Sequence, residues 1–177
     1  MSASKLVRPC IHAKMSYLEA MAEYQEEGRY LDRDLQRLSV HFEEIVQNML
    51  EDRNQPKERF PEWVEIVPES IFWLVKDDIY LGSIYIRHRL NWHLEKWGGH
   101  VSFLIRPSKR NQGFGKKLLQ KGIPAINALG IEKALMTIAP DNTPALRIAE
   151  FCGAVLEDTT QATDKFPERR RYWLDCT

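Results

Sequence analysis

The chain has 177 residues, enough for one domain with a sizeable core, and 44% of them are hydrophobic. Twenty-five Lys and Arg balance 25 Asp and Glu, which argues against broad attraction to nucleic acid or to a membrane surface. No apolar run is long enough to span a bilayer, and the first five residues lack a signal-peptide core, so a cytoplasmic protein is expected. Cys10, Cys152 and Cys176 are odd in number and widely spaced, as reduced thiols would be. The five histidines show no helical pairing with a Glu, and no C-x-x-C occurs, so no metal site is expected.

In chain order, residues 6–9 read as a short strand. Residues 15–25 read as a helix, with Tyr17, Leu18, Met21 and Tyr24 at helical spacing and Gly28 as a stop. Residues 35–51 read as one further helix, and 54–68 as a loop punctuated by Pro56, Pro61 and Pro68. Two runs rich in β-branched and aromatic residues follow, 71–75 and 79–86. Asp77-Asp78 between them supplies a hairpin turn, since Asp tolerates left-handed backbone. Residues 90–97 form a short helix or ordered loop ended by Gly98-Gly99, and 101–105 a strand.

The helix that follows carries Leu118, Leu119, Ile123 and Ile126 on one face and ends at Gly130. Pro124 inside it predicts a kink or a break. Residues 134–139 form a buried strand. Asn142 or Thr143 caps a helix with Pro144 in its first turn, and 155–159 and 170–175 close the chain as antiparallel strands. The expected fold is α/β, with a single mixed, mostly antiparallel sheet flanked by helices. Residues 1–177 form one domain, its N-terminal helical part at about 1–68 and its ligand-binding core at about 70–175.

The most informative stretch is Arg110-Asn111-Gln112-Gly113-Phe114-Gly115, between the 101–105 strand and the next helix. Two glycines one residue apart let the backbone approach a ligand, and the helix N-terminus favours negative charge. Lys109, Lys116 and Lys117 crowd the same turn. A phosphate-bearing ligand follows. The P-loop pattern is absent, and so is G-x-G-x-x-G.

The remaining pattern, a basic residue followed by x-x-Gly-x-Gly, resembles the pyrophosphate loop of the GNAT superfamily of acyl-CoA-dependent N-acetyltransferases. Asn142 with Cys152-Gly153-Ala154 looks like that family's second cofactor element. The likeness covers roughly residues 70–175. It implies a sheet whose central strands splay, with acetyl-CoA as acyl donor. Backbone N–H groups of Asn111, Gln112, Gly113, Phe114, Gly115 and Lys116 would cradle the pyrophosphate, beside Arg110. Phe103, Leu104 and Ile105 would pair with the pantetheine arm, Asn142 would face the same cleft, and a strand N–H such as that of Leu104 would stabilise the oxyanion.

Many relatives carry a Tyr seven residues after this Asn; here that position is Ala149. Tyr172 is the alternative general acid, and His100 the candidate proton acceptor, with Glu95 behind it. Trp92, His93 and Trp97 either line an acceptor pocket or pack their own segment. Arg169, Arg170 and Arg171 either attract an acidic substrate or protect an edge strand. The resemblance implies transfer to a small-molecule amine, by a monomer or homodimer. A protein N-terminus or lysine as acceptor, or a non-catalytic CoA-binding module, are the other readings.

Overall fold

The computed structural model describes residues 3–52 and 65–177; most of the proline-punctuated 54–68 stretch lies outside them. Seven strands and five α-helices follow in the order β1 (Lys5–Val7), α1 (Lys14–Glu26), α2 (Leu35–Val40), α3 (Phe42–Leu50), β2 (Glu69–Lys76), β3 (Ile79–Arg87), β4 (Val101–Ile105), α4 (Phe114–Ala128), β5 (Lys133–Ile138), α5 (Thr143–Phe151), β6 (Val155–Thr160) and β7 (Arg169–Asp175). The strands pair as β1-β2-β3-β4 and as β5-β7-β6, every pair antiparallel. The expected mixed sheet is thus divided between β4 and β5 into two antiparallel parts.

Local chemistry sets the hairpin between β2 and β3. Asp77 and Asp78 both take positive φ, 50° and 61°. Such a two-residue turn matches the twist of the flanking strands. The helix expected over 35–51 is two helices, parted at His41, whose φ of −101° and ψ of 22° leave the helical region. The bend lets both Leu38 and Phe42 reach the core. α4 runs unbroken through Pro124. Leu118, Leu119 and Ile126 are fully buried, and Gly122 lies so close to Ile84 that an added Cβ would sit 2.7 Å from its Cδ1. Packing of that face outweighs the one hydrogen bond the proline removes.

Two cores lie on opposite faces of the first sheet. On one face α4 and α5 cover Ile84, Ile86, Val101, Ile105, Met136 and Tyr172. On the other, α1, α2 and α3 cover Trp73 and Tyr80, and Tyr17 stacks on Trp73 with centroids 4.7 Å apart. Alternation along the strands follows. Val101, Phe103 and Ile105 point to the α4 side, Ser102 and Leu104 to the α1 side.

Candidate active site

Among the described residues, one backbone hydrogen bond joins the two sheets, from His100 N to Leu135 O at 2.8 Å. The His100 ring makes a second link: Leu135 N donates to its Nδ1 at 3.0 Å. Beyond this junction, among the described residues, no backbone bond joins β4 to β5. Both strands run from it to a helix N-terminus, β4 to α4 and β5 to α5. A wedge-shaped opening results, with a helix end beyond each strand.

The ladder register shows which backbone groups face the opening. Arg106 N donates to Leu81 O and Arg87 N to His100 O, and β3 and β4 pair residue by residue between them. Antiparallel strands alternate, so Ser102 and Leu104 spend their N–H and C=O on β3. Val101, Phe103 and Ile105 turn theirs to the opening. This corrects the expectation for Leu104, whose N–H points away; the N–H groups of Phe103 and Ile105 are the available donors. On β5 the same alternation turns Leu135 and Thr137 towards β4, because Cys176 N bonds Glu132 O across β7.

The Arg110–Gly115 turn lies at the end of β4. Asn111 has φ 59° and Gly113 φ 78°, both left-handed, and Gly113 is the N-cap of α4 without any side-chain cap. The first N–H groups of α4, on Phe114, Gly115 and Lys116, have no partner within the helix. Nothing lies within 4 Å of where a Gly113 Cβ would stand, whereas a Cβ on Gly115 would collide with Ile148 Cδ1. Gly115 therefore brings α5 against the first turn of α4. Asn142 caps α5, its Oδ1 accepting from Ala145 N at 3.3 Å. Gln112 folds back on Ser108 O at 3.1 Å, and Lys116 lies 3.8 Å over the Phe151 ring. The first turn of α4 thus packs on Ile148 and Phe151 of α5, while Asn142 stands at the other end of that helix, after β5.

The turn is gripped from behind by a row of carboxylates on α1 that the sequence reading passed over. Arg110 Nε donates to Ile105 O at 3.2 Å, and its two terminal nitrogens hold both oxygens of Glu27, at 2.6 and 2.9 Å. Arg106, buried, donates to Glu23 at 2.8 Å, Glu19 at 3.0 Å and Ser16 Oγ at 2.9 Å. Glu23 also accepts from Ser108 N at 2.9 Å. Burial pushes the Glu23 carboxyl up, but these hydrogen bonds outweigh it and hold the group below its ordinary range. The signal was in the sequence: Glu19, Glu23 and Glu27 recur every four residues, on one helical face.

Both groups expected to move protons have structural partners. His100 is buried, and burial, aided by the nearby Arg87 cation, lowers its pKa to about 4. With Nδ1 accepting from Leu135, the neutral ring carries its proton on Nε2. At neutral pH the uncharged ring clasps the two strands, and its lowered pKa makes it a weak base. Its folded pKa lies below the unfolded value of about 6.5. The stability it contributes is therefore full above pH 6.5 and lost as pH falls towards 4. His93 shifts in the same direction, through burial and Arg87. Thermal unfolding should show a midpoint that falls between pH 6.5 and about 4.5, with a shallower slope in His100→Gln.

Tyr172 is buried, and its hydroxyl donates to Glu150 Oε1 at 2.9 Å. Burial, and then the Glu150 carboxylate, raise its pKa. Ala149, where relatives carry the acid, is fully buried. Tyr172→Phe is expected to lower stability by about 1 kcal/mol, one lost hydrogen bond, and to change turnover less than threefold. A hundredfold loss of turnover at unchanged acetyl-CoA affinity would restore the hydroxyl as the acid.

The aromatic segment packs tightly. Trp97 stacks on Phe166 with centroids 4.2 Å apart, and His93 lies 5.1 Å from the same ring. Trp92 is exposed and meets Trp97 edge-on at 6.2 Å. Arg171 is held by Asp158 through two bonds of 2.6 Å and by Glu95 O at 3.0 Å. It braces β6 and the 94–98 turn.

A strand ending in a glycine-bearing phosphate turn, beside a second strand that leaves its edge open, is an arrangement also found in known proteins. The sequence model described as "Acetyltransferase (GNAT) family" matches residues 21–154, most of the chain, and the chain belongs to this family of acyl-CoA-dependent acetyltransferases. Comparison with curated proteins finds no significant match. Among solved structures, RimJ from Mycobacterium smegmatis in complex with CoA-disulfide is similar, with TM-score 0.67 at 13% identity, over 97% of this chain and 81% of that one. A chimera of Vibrio cholerae spermidine N-acetyltransferase SpeG with hSSAT gives 0.63 at 14%, over 99% and 96%. The aminoglycoside acetyltransferase AAC(6')-Ib, in complex with coenzyme A and kanamycin, gives 0.64 at 14%, over 98% and 95%. At these identities the likeness is one of fold. No helix among the described residues is long and apolar enough to cross a membrane.

Proposed function

We propose that the protein transfers the acetyl group of acetyl-CoA to the amine of a small acceptor by direct attack. The observation that carries this is the pairing of the Arg110–Gly115 turn with the open edge of β4. Asn111 and Gly113 are left-handed, the space beside Gly113 is clear of other atoms, and the first N–H groups of α4 are free to meet an anion there. Lys109, Lys116 and Lys117 add positive charge, and none of them makes an ion pair among the described residues. The groups of Phe103 and Ile105 form the extended edge a pantetheine arm would pair with, and their N–H groups are placed to stabilise an oxyanion between the strands.

The donor supplies a thioester, whose carbon the amine attacks and whose C–S bond then breaks to release the CoA thiol. This chain orients that carbon along β4. The acceptor arrives on the α1 side, where Ser102 and Leu104 point. With His100 and Tyr172 both engaged, the ammonium proton leaves to water, and the thiolate is a tolerable leaving group near two helix N-termini. Tyr30, from the α1–α2 loop, packs on the same α1-side core as Leu104, and a bulky ring there favours a small acceptor over a long chain.

Titration calorimetry should show acetyl-CoA binding, with a rise in melting temperature as ligand is added. Thiol release from acetyl-CoA with a panel of amines should then identify acceptors. Absence of binding at millimolar ligand overturns the proposal, and binding without thiol release across the panel would favour a CoA-binding module.

A further inference from the structure

α4 and α5 cover one side of the opening, so an acceptor meets the acyl carbon from the other. The loop between α1 and α2 packs through Tyr30 on the same core cluster that takes Leu104 of β4, and it is held in place. The Gln25 amide donates to Tyr30 O at 3.0 Å and to Arg33 O at 2.6 Å, and Arg33 N donates to Tyr30 O at 3.0 Å. Tyr30 is fixed with φ 53°, a left-handed backbone few tyrosines adopt. Its ring packs edge-on against Tyr24, with centroids 5.7 Å apart.

This scaffold presents Arg33. Its guanidinium carbon lies 4.4 Å from the Tyr30 ring centroid, one nitrogen reaches Met21 Sδ, a weak acceptor 3.9 Å away, and the Tyr17 hydroxyl is a second, uncharged polar partner. The cation is near enough to Tyr17 and Tyr85 to oppose the upward push that burial gives both hydroxyls. Tyr85 is paired with Ser102, next to Phe103, whose N–H faces the opening. Arg33 is half-buried, yet no described carboxylate lies within ion-pair distance of it. Arg8, Arg87, Arg106, Arg110 and Arg171 meet one; Arg169 and Arg170, on β7, share the lack of a described carboxylate. Asp34, adjacent in sequence, is occupied in capping α2 through Arg37 N. A partly desolvated guanidinium with a fixed plane and no anion is costly unless a ligand supplies one.

We propose that Arg33 receives an anionic group on the acceptor, so that the acceptor is a small amine also bearing a carboxylate or a phosphate. This rests on the acetyltransferase reading and narrows it. A polycationic amine would meet like charge beside the reacting strand. An oxyanion would take the planar fork of N–H donors that the Tyr30 stack leaves open at its edge.

The test compares matched acceptors with acetyl-CoA. Glycine, β-alanine and γ-aminobutyrate are each set against their amides, and O-phosphoethanolamine against ethanolamine, so the two arms distinguish carboxylate from phosphate. At least one anionic member should exceed its neutral partner by tenfold or more in kcat/KM. Arg33→Gln should remove that preference, mainly through KM, while sparing the neutral member, and Arg33→Lys should restore part of it. Circular dichroism and acetyl-CoA calorimetry on each variant show that fold and donor site are intact. Equal use of both members, equal loss on both in Arg33→Gln, or transfer only to polyamines overturns the proposal. So does acetyl-CoA binding with no transfer to any anionic amine. Failure of the native protein to bind acetyl-CoA instead overturns the acetyltransferase reading itself.

Discussion

Replacing Gly113 by valine is expected to leave a folded protein whose affinity for acetyl-CoA falls by a hundredfold or more. Two effects act together. The residue sits at φ 78°, where an L side chain loses about 1–2 kcal/mol, and more when it is β-branched. The new side chain also projects into a space clear of protein atoms, beside the uncapped N-terminus of α4 where the pyrophosphate is proposed to sit. The backbone can relieve its strain only by turning those N–H groups away. Because no neighbour is struck, the fold should survive with a modest drop in melting temperature. Gly113→Ala separates the effects, keeping most of the conformational penalty with far less bulk. Calorimetry on both, with circular dichroism as control, decides the matter; a folded Gly113→Val that binds acetyl-CoA normally would make the turn merely structural.

Gly99→Val should have the opposite signature, a large loss of stability. Gly99 has φ 66° and ψ −178°, a region open essentially to glycine alone. A Cβ there would stand 2.5 Å from Leu135 O and 3.1 Å from its carbon. That oxygen is the acceptor for His100 N, so the collision falls on the one backbone bond joining the two sheets. The Arg87 side chain also braces this point, donating to the carbonyls of Gly98 and Gly99 at 3.2 Å each. Strain and the lost clasp together should destabilise the protein by about 3 kcal/mol or more, read by urea unfolding. An unfolding midpoint within error of the native protein would show that the junction yields without consequence.

The parts legible in the sequence were those set by a few neighbouring residues. Asp77-Asp78 announced a tight hairpin because the tolerance for left-handed backbone belongs to the residue itself. The strand–turn–helix at Arg110–Gly115 was legible for the same reason, with its glycines next to a strand and before a helix. What was not legible depended on partners distant in sequence. Pro124 reads as a breaker until the burial of its helix face is known. Leu104 and Phe103 differ only in which edge their amides face, and that is set by register with β3. His100 and Tyr172 were reasonable proton carriers by type, yet Leu135 and Glu150 occupy them, 35 and 22 residues away in sequence. Arg33 drew no attention as one of many basic residues; only the geometry shows that it has no carboxylate.

The carboxylate row on α1 bears on where the protein may be cut. The motif-bearing part of the chain begins near residue 70, and a boundary there looks natural on the page. Yet the guanidinium groups of Arg106 and Arg110 are shared with Glu19, Glu23 and Glu27, and Trp73 and Tyr80 are roofed by Tyr17 and Phe42. A fragment starting at residue 70 would carry every motif residue and still lack the counter-charges that set the turn and the lid over one face of its sheet. The segment without motif residues is thus the foundation on which the motif-bearing segment stands. Shortening the protein from its N-terminus removes the donor site's support before it touches the site.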